Sequence, residues 1–289
     1  MGKIRIVTDS AAQFVNPEIV KRYNIEVVPH TVHLGTQSFR EGIDLDTEAF
    51  FRLQNQSNAP VTLSAPSVDA FTSVYGRLNR STDKILSLHM SRAFGATWNN
   101  ARSATKSLLG RCEIVVLDSL TTSIGLGMLV EAAARAVEDG LPMDEVVRIT
   151  RGMVPHIYIV VYVESMDYLR RNGLLSESQS ILGAMLNIKP FLTIEDGEII
   201  PMEKVRTEGQ AVDKLVEFVT EFSDVENLVI LQNTPYATDT IRTLQEQLAL
   251  EFPGRSFPSL MYGPSLAALI GTDATGIVVY ERDEDEDVL

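Results

Sequence analysis

Residues 83–118 read DKILSLHMSRAFGATWNNARSATKSLLGRCEIVVLD, and they contain two short apolar runs separated by a helical pattern. The first run ends in a small-residue loop, and the helical pattern starts near Thr97. Short continuous apolar strands separated by amphipathic helices are typical of a parallel sheet that is covered on both faces. The segment therefore predicts a strand, a helix and a second strand parallel to the first.

The rest of the first half repeats this alternation of strands and helices. KIRIVTDS and IEVVPHTVHLG are predicted to be strands. Predicted helices cover NPEIVKRYN, DTEAFFRLQ, SVDAFTSVYGRLN and SIGLGMLVEAAARAVEDG, the first of them capped by Asn16. The pattern predicts an N-terminal α/β domain with a parallel sheet over residues 1–153.

The pattern changes near Met153. HIYIVVYVES is predicted to be a strand and SESQSILGAMLN a helix. KPFLTIEDGEIIPMEKVR is predicted to be a β-hairpin, because Asp196-Gly197 is a strong signal for a two-residue turn. Hairpins mixed with helices favour a two-layer α+β domain over residues 154–289.

The composition is that of an ordinary globular protein with a strong acidic balance. The 289 residues are 45% hydrophobic and carry a formal net charge of −14. No basic patch stands out, so nucleic acids and anionic membrane surfaces are poor partners. The chain shows no signal peptide and no apolar run long enough to span a bilayer. We therefore expect a soluble cytoplasmic protein.

Small polar loops follow several predicted strands. They read TDSAAQF, MSRAFGAT, DSLTTSIGLG and PVTLSAPSVD. Ligands of open α/β sheets bind at the carboxyl ends of the strands, so these loops predict a pocket there. The alternative is that each Ser, Thr or Asp merely caps the next helix.

The common catalytic and cofactor motifs do not match. No dinucleotide-binding or P-loop spacing occurs. His30 and His33 lie three apart on a predicted strand and therefore point to opposite faces, which argues against a shared metal. His89 could lie near Ser91, but no nucleophile elbow surrounds that serine. We predict no catalytic residue, no metal and no cofactor.

An apolar stretch, ILGAMLNIKPFL, spans residues 181–192. On composition alone it is core. The alternative is that Met185, Ile188 and Phe191 line a cavity for a hydrocarbon chain, in which each buried methylene would contribute about 0.8 kcal/mol.

At this point a family pattern emerges. IVTDSAAQF, REGIDLDTEAFF, SAPSVDAF, LDSLTTSIGLG, VESMDYLRRNG, LNIKPFLTIEDGEIIPMEKVR and GPSLAALIG occur in this order. Together they resemble the DegV family, also called the EDD fold, along the whole chain. The resemblance implies a non-enzymatic protein that binds a long-chain fatty acid between two domains. It also implies an acyl tunnel in the C-terminal domain and, in some members, transfer of the fatty acid to a partner kinase.

Three positions that the resemblance assigns to the carboxylate head carry no polar side chain here. The family's threonine, serine and histidine correspond to Leu63, Gly95 and Leu269. The head-group end is therefore predicted to be apolar, because a carboxylate in a dry pocket without donors is costly.

Other groups remain near that predicted head-group end. They are the backbone at Ala96 and Thr97, and the side chains of Thr62, Ser64, Thr97, Asp9 and Ser10. One hypothesis is a fatty acid held by this backbone and these hydroxyls. The other is a less polar lipid or isoprenoid with an uncharged head.

The positions implied in docking the kinase are also altered. Leu174 and Glu208 stand where the family often has basic residues, although Arg206 remains. These changes argue against transfer to a kinase. Outside lipid binding we keep two alternatives, a small-molecule transferase that uses His89 and a paralogue that only binds another protein.

Overall fold

The computed structural model describes residues 3–57, 59–171 and 188–282. Its first sheet is parallel, four-stranded and ordered β2-β1-β6-β7. The parallel unit predicted from residues 83–118 is confirmed, because β6 and β7 pair in parallel on either side of a helix. The strands are β1 (Arg5–Asp9), β2 (Glu26–Val28), β6 (Lys84–His89) and β7 (Glu113–Asp118).

A second, antiparallel sheet corrects two of the predictions. Its order is β4-β3-β5, formed by β3 (Thr31–Leu34), β4 (Gln37–Arg40) and β5 (Val61–Ser64). The single strand predicted for residues 25–35 was wrong, because the chain leaves β2 at Pro29 and joins another sheet at Thr31. Proline has no N–H for a ladder, so the strand breaks there. The loop predicted for PVTLS was also wrong, since these residues pair with β3.

The third sheet has six strands in the order β10-β9-β8-β13-β11-β12 and is mixed. The predicted hairpin is confirmed, with Asp196 and Gly197 both at positive φ in the turn between β9 and β10. The strands are β8 (Ile157–Val163), β9 (Lys189–Glu195), β10 (Glu198–Val205), β11 (Val225–Gln232), β12 (Ser259–Met261) and β13 (Ala274–Glu281).

The helices begin where the polar caps of the sequence place them. The side chains of Asn16, Asp46 and Ser67 accept backbone N–H groups at the starts of the first three helices. The helices are α1 (Glu18–Arg22), α2 (Thr47–Ser57), α3 (Val68–Leu78), α4 (Thr97–Ala104), α5 (Ser123–Glu138), α6 (Met143–Met153), α7 (Asp167–Arg171), α8 (Glu208–Thr220), α9 (Asp239–Glu251) and α10 (Pro264–Ile270). The helix predicted for SESQSILGAMLN lies outside the described residues.

The central strands of the six-stranded sheet, β8, β11 and β13, are buried on both faces, which explains their continuous apolar runs. Alternate residues of β8 separate into two clusters. Val161 packs with side chains of the first two sheets and of α5, whereas Val160 packs beneath α8 and α9. One hydrophobic cluster therefore runs from the parallel sheet to the six-stranded sheet.

The six-stranded sheet is formed by strands from residue 157 onward, and the other two sheets are formed by strands that end at or before residue 118. This order is compatible with two domains, and the boundary at residue 153 stays a prediction. No helix within the three described ranges has the length and apolarity to cross a bilayer.

Candidate functional site

Three strand-end loops meet at the carboxyl edge of the parallel sheet. Asp9, at the end of β1, accepts the backbone N–H of Met90 after β6 at 3.0 Å. The Ser91 N–H donates to the carbonyl of Thr121, after β7, at 2.8 Å. The Ser91 hydroxyl donates to the carbonyl of Gly197 at 2.7 Å, which fixes the turn of the β9–β10 hairpin against this edge. Three of the four polar loops singled out in the sequence therefore meet at this edge, and the pocket expected there stays a prediction.

A fully buried hydrogen-bonded chain lies behind this edge. Asp9 Oδ2 is 3.0 Å from His89 Nδ1, and His89 Nε2 is 2.7 Å from the Ser87 hydroxyl. Ser87 in turn bonds the hydroxyl of Tyr75 at 2.8 Å. Burial alone would raise the pKa of the Asp9 carboxyl, but the His89 bond, the charges of His30 and His89 and the Met90 N–H hold it below the ordinary 3.8.

A second chain runs from Glu41 to Thr97 in front of the first. The Ser10 hydroxyl donates to Glu41 Oε2 at 2.6 Å and lies 3.1 Å from His30 Nδ1. The other ring nitrogen of His30, Nε2, is 2.9 Å from the Thr97 hydroxyl. His30 Nδ1 also lies 3.8 Å from both Asp9 Oδ1 and Glu41 Oε2. His30 therefore lies at the centre of a compact, buried, acidic group of side chains.

Helix α10 completes this second chain from the far side. The backbone N–H of Ser265 donates to Glu41 Oε1 at 2.9 Å, and its hydroxyl donates to Glu41 Oε2. Burial raises the pKa of Glu41 above its ordinary 4.5, and the charge of His30 and the bonds from Ser10 and Ser265 oppose this effect without cancelling it. The carboxylate of Glu41 thus ties the loop after β4 to the first turn of α10.

Gln13 makes a separate connection between the same parts of the chain. Its side-chain oxygen accepts the Gly263 N–H at 2.7 Å and the Ser123 hydroxyl at 2.8 Å. Its amide nitrogen donates to the Met261 carbonyl at 3.0 Å. The start of α10 is therefore held by two sets of hydrogen bonds, one from Gln13 in the loop after β1 and one from Glu41 in the loop after β4.

The predicted site residues on β5 separate by strand alternation. Thr62 and Ser64 lie on the exposed face, where the Ser64 hydroxyl is 2.8 Å from His33 Nε2. Leu63 points the other way, pairs in register with Val32 and packs against the central cluster. Because side chains one residue apart on a strand face opposite sides, neither hydroxyl can take the place of Leu63.

The remaining head-group candidates lie around α4 and α10. Gly95 and Ala96 are exposed, and Thr97 beside them is only 2% exposed, with its hydroxyl against His30. Gly95 has a φ of 154°, which favours glycine at that position. Leu269 is partly buried on α10, which packs against β5, the strand of Leu63.

The predicted tunnel residues do not share this location. Phe191 is 4% exposed and belongs to the cluster beneath α8 and α9, 5.8 Å from the Tyr162 ring. It faces away from the parallel sheet, whereas its neighbour Leu192 faces toward it. Ile188 is half-buried, and Met185 lies outside the described residues. An acyl chain that reached Phe191 from Thr97 would have to pass from one face of the six-stranded sheet to the other.

His89 is committed to the interior of the protein. It is fully buried, and both ring nitrogens bond protein groups, Asp9 and Ser87. Its hydroxyl partner is Ser87 and not the predicted Ser91. This arrangement disfavours the transferase alternative, because a nucleophilic histidine needs a ring nitrogen that faces the substrate.

Of the two positions that the family resemblance implies in docking a kinase, one lies within the described residues. Glu208 is exposed in the first turn of α8, where the Thr240 hydroxyl donates to its carboxylate at 2.9 Å. The exposed Arg206 lies two residues before it. Leu174 lies outside the described residues.

Four residues that build the site were missed by sequence reasoning: His30, Glu41, Gln13 and Ser265. His30 was weighed only as a metal ligand on the same predicted strand as His33. It lies before β3, outside any strand, and bonds Thr97, whereas His33 in β3 bonds Ser38 and Ser64. A polar residue within otherwise apolar segments was the available signal, since a buried polar group needs partners.

The comparisons with known proteins cover nearly the whole chain. Residues 3–282 match the model of the DegV family, described as "uncharacterised protein, DegV family". A DegV domain-containing protein of Caldanaerobacter subterraneus subsp. tengcongensis is 32% identical over 284 residues, which are 98% of this chain and 100% of that protein.

Solved structures agree in fold over the same length. A DegV family protein from Thermus thermophilus, described with fatty acid binding, superposes with a TM-score of 0.83 at 25% identity and covers 97% of this chain and 100% of its own. A fatty acid binding DegV family protein from Streptococcus agalactiae gives a TM-score of 0.86 at 23% identity, with 98% and 100% coverage. The family resemblance of the sequence is thereby confirmed, and this chain belongs to the DegV family.

Proposed function

We propose that this protein binds a long-chain fatty acid or a related lipid without catalysing a reaction on it. The observation that carries the proposal is the full-length match to the fatty-acid-binding protein of Thermus thermophilus, at a TM-score of 0.83 and 25% identity. Family membership over residues 3–282 supports the same function.

The geometry supports a head-group position beside α4. The exposed backbone of Gly95 and Ala96 lies next to the Thr97 hydroxyl, at the carboxyl edge of a parallel sheet. Ligands of open α/β folds bind at that edge. Thr97, Ser10 and Asp9 belong to one connected polar group there, whereas Thr62 and Ser64 face elsewhere. In this proposal the head group contacts the backbone at 95–96 and Thr97.

A second candidate ligand is a less polar lipid or an isoprenoid with an uncharged head. Leu63 and Leu269 favour this second candidate. Both pack against the central cluster, and neither side chain carries a donor for a carboxylate. Under this alternative no kinase receives the ligand, because there is no carboxylate to phosphorylate. Transfer to a kinase is a prediction that depends on the first candidate, and the cytoplasmic location stays a prediction under either.

The test is to identify the lipid that the purified protein carries. We expect denaturation and organic extraction to release an acyl lipid in about equimolar amount, identified by mass spectrometry. Added C12–C18 fatty acids should raise the melting temperature of the delipidated protein by mass action. An uncharged isoprenoid or ester in the extract would favour the second candidate. No lipid in the extract and no shift with either class would refute lipid binding.

A further inference from the structure

The proton arrangement of the Glu41–Ser10–His30–Thr97 chain depends on its protonation state. Ser10 has one hydroxyl hydrogen, and it is directed to Glu41 Oε2 at 2.6 Å. When Glu41 is ionised and His30 is neutral, Ser10 must therefore accept from His30 Nδ1–H across 3.1 Å. Nε2 then carries a lone pair, and the Thr97 hydroxyl must donate to it across 2.9 Å. In this state the single hydroxyl hydrogen of Thr97 is donated to His30 and cannot be donated to a ligand.

One added proton reverses the last hydrogen bond of the chain. If Glu41 takes the proton, it donates to Ser10, Ser10 donates to Nδ1, and the ring carries its hydrogen on Nε2. If His30 takes it, the ring is protonated on both nitrogens and Nε2–H again faces Thr97. In either case Thr97 accepts from His30, and its own hydrogen is free to be donated elsewhere. The summed charge of Glu41 and His30 changes at the same time from −1 to zero.

We infer that binding of an anionic acyl head group at Thr97 is coupled to uptake of one proton by the Glu41–Ser10–His30 chain. His30 is a positioning residue in this inference, since it acts on the ligand through Thr97. The inference rests on the proposed function, because it requires the head group to lie at Thr97. An uncharged head, which can donate as well as accept, has no such requirement.

The surroundings of His30 restrict the proton to this chain. Among the described residues, the carboxylates within 4 Å of its ring nitrogens are those of Asp9 and Glu41, both at 3.8 Å from Nδ1. Asp9 is engaged by His89 and by the N–H groups of Ala11 and Met90. Those bonds satisfy its ionised form, and its pKa is held low. Glu41 is 5% exposed, and its pKa is raised, so it is the carboxyl group that can accept the proton.

The experiment compares two probes of equal chain length across pH. Dodecyl sulfonate stays anionic from pH 5.5 to 8.5, and dodecanol stays uncharged, so any pH dependence belongs to the protein. Calorimetric titration of delipidated protein should give a dissociation constant for the sulfonate that depends on pH. Above the pH at which the Glu41–Ser10–His30 chain is half protonated, this constant should rise about tenfold per pH unit, as expected for one linked proton. The dissociation constant of dodecanol should change less than about twofold across the same range.

Three variants identify the group responsible. In Glu41→Gln, the amide N–H donates to Ser10 at every pH, so sulfonate binding should be tight and independent of pH. Ser10→Ala interrupts the chain at a partly exposed residue and should also abolish the pH dependence, which covers the case in which Glu41→Gln fails to fold. His33→Gln is the matched control, because His33 bonds Ser38 and Ser64 and is not part of the hydrogen-bonded chain that reaches Thr97. It should keep the wild-type slope.

The outcomes separate this inference from the proposed function. Equal pH dependence for sulfonate and dodecanol, or a slope that persists in both Glu41→Gln and Ser10→Ala, overturns proton coupling and leaves lipid binding intact. If neither dodecyl probe nor laurate binds at any pH, both proposals are wrong. Proton uptake on sulfonate binding should make the binding enthalpy depend on the ionisation enthalpy of the buffer. The same binding enthalpy in buffers of different ionisation enthalpy also contradicts the inference.

Discussion

Ser265, in the first turn of α10, donates both its backbone N–H and its hydroxyl to the carboxylate of Glu41, which is 224 residues earlier in the chain. This pair connects the loop after β4 to a helix that lies between β12 and β13 of the six-stranded sheet. Glu41 is buried, so the loss of one of its hydrogen-bond donors leaves its carboxylate less well solvated inside the protein. The pair therefore stabilises the contact between the two halves of the chain.

Ser265→Ala should destabilise the protein by about 2 kcal/mol, because hydrogen bonds to charged groups are worth about 1.5–3 kcal/mol. Urea denaturation measures this change in the free energy of unfolding. Ser38→Ala is the control, since Ser38 is exposed and its hydroxyl bonds the side chain of His33. The control should change stability by less than about 0.5 kcal/mol. Equal effects in the two variants would contradict the role of Ser265.

Stability should fall as the pH rises through the folded-state pKa of Glu41. Its folded pKa is raised above the ordinary 4.5. The folded state therefore holds this proton more tightly than the unfolded state, and the stabilisation that is present below pH 4.5 is lost as the pH rises through the raised value. The loss should not exceed about 1.4 kcal/mol per pH unit for one proton. Urea denaturation between pH 4.5 and 8 should show it in the wild type and not in Glu41→Gln.

Asp9 contributes with the opposite sign and in a separate window. Its folded pKa lies below 3.8, so its stabilisation is present above pH 3.8 and is lost as the pH falls through the lowered value. Measurements above pH 4.5 therefore separate the contribution of Glu41 from that of Asp9, and the comparison with Glu41→Gln assigns it. A wild-type curve that rises across this range relative to that of Glu41→Gln would refute the assignment.

Gly127→Ala should destabilise the protein strongly. A Cβ at this position would lie 1.8 Å from the backbone carbonyl oxygen of Gln13, which cannot move without disturbing the contacts that hold α10. Overpacking of this kind costs about 1–3 kcal/mol or more. Gly76→Ala is the matched control, because it is also helical and nothing lies within 4 Å of its Cβ position. The control should gain up to about 1 kcal/mol in thermal or urea denaturation.

Leu269→His should tighten the binding of fatty acids if position 269 faces the head group, as the family resemblance implies. A new donor to a carboxylate is worth about 1.5–3 kcal/mol, which corresponds to about tenfold or more in affinity. Titration with laurate should show this gain, and titration with dodecanol should show little change. Leu109→His is the control at a position that is 74% exposed. Unchanged laurate binding in Leu269→His would place the head group elsewhere.

The parallel sheet, the hairpin at Asp196-Gly197 and membership of the family could all be predicted from the sequence. These features depend on local patterns, namely apolar runs, helix caps and turn residues, which act over a few neighbouring residues. The division of the segment around Pro29 between two sheets could not be predicted in this way. The part before Pro29 pairs with β1 and the part after it pairs with β4 and β5, and these partners come together only in the folded protein.

Tertiary structure also decided which polar residues form the site. Local pattern marks Thr62, Ser64 and Thr97 as equivalent hydroxyls, yet only Thr97 is buried against His30. Glu41 and Ser265 meet across 224 residues of chain. Local sequence patterns cannot predict this contact. A buried polar group needs a hydrogen-bonding partner, and here the partner is remote in sequence and close only in the folded protein.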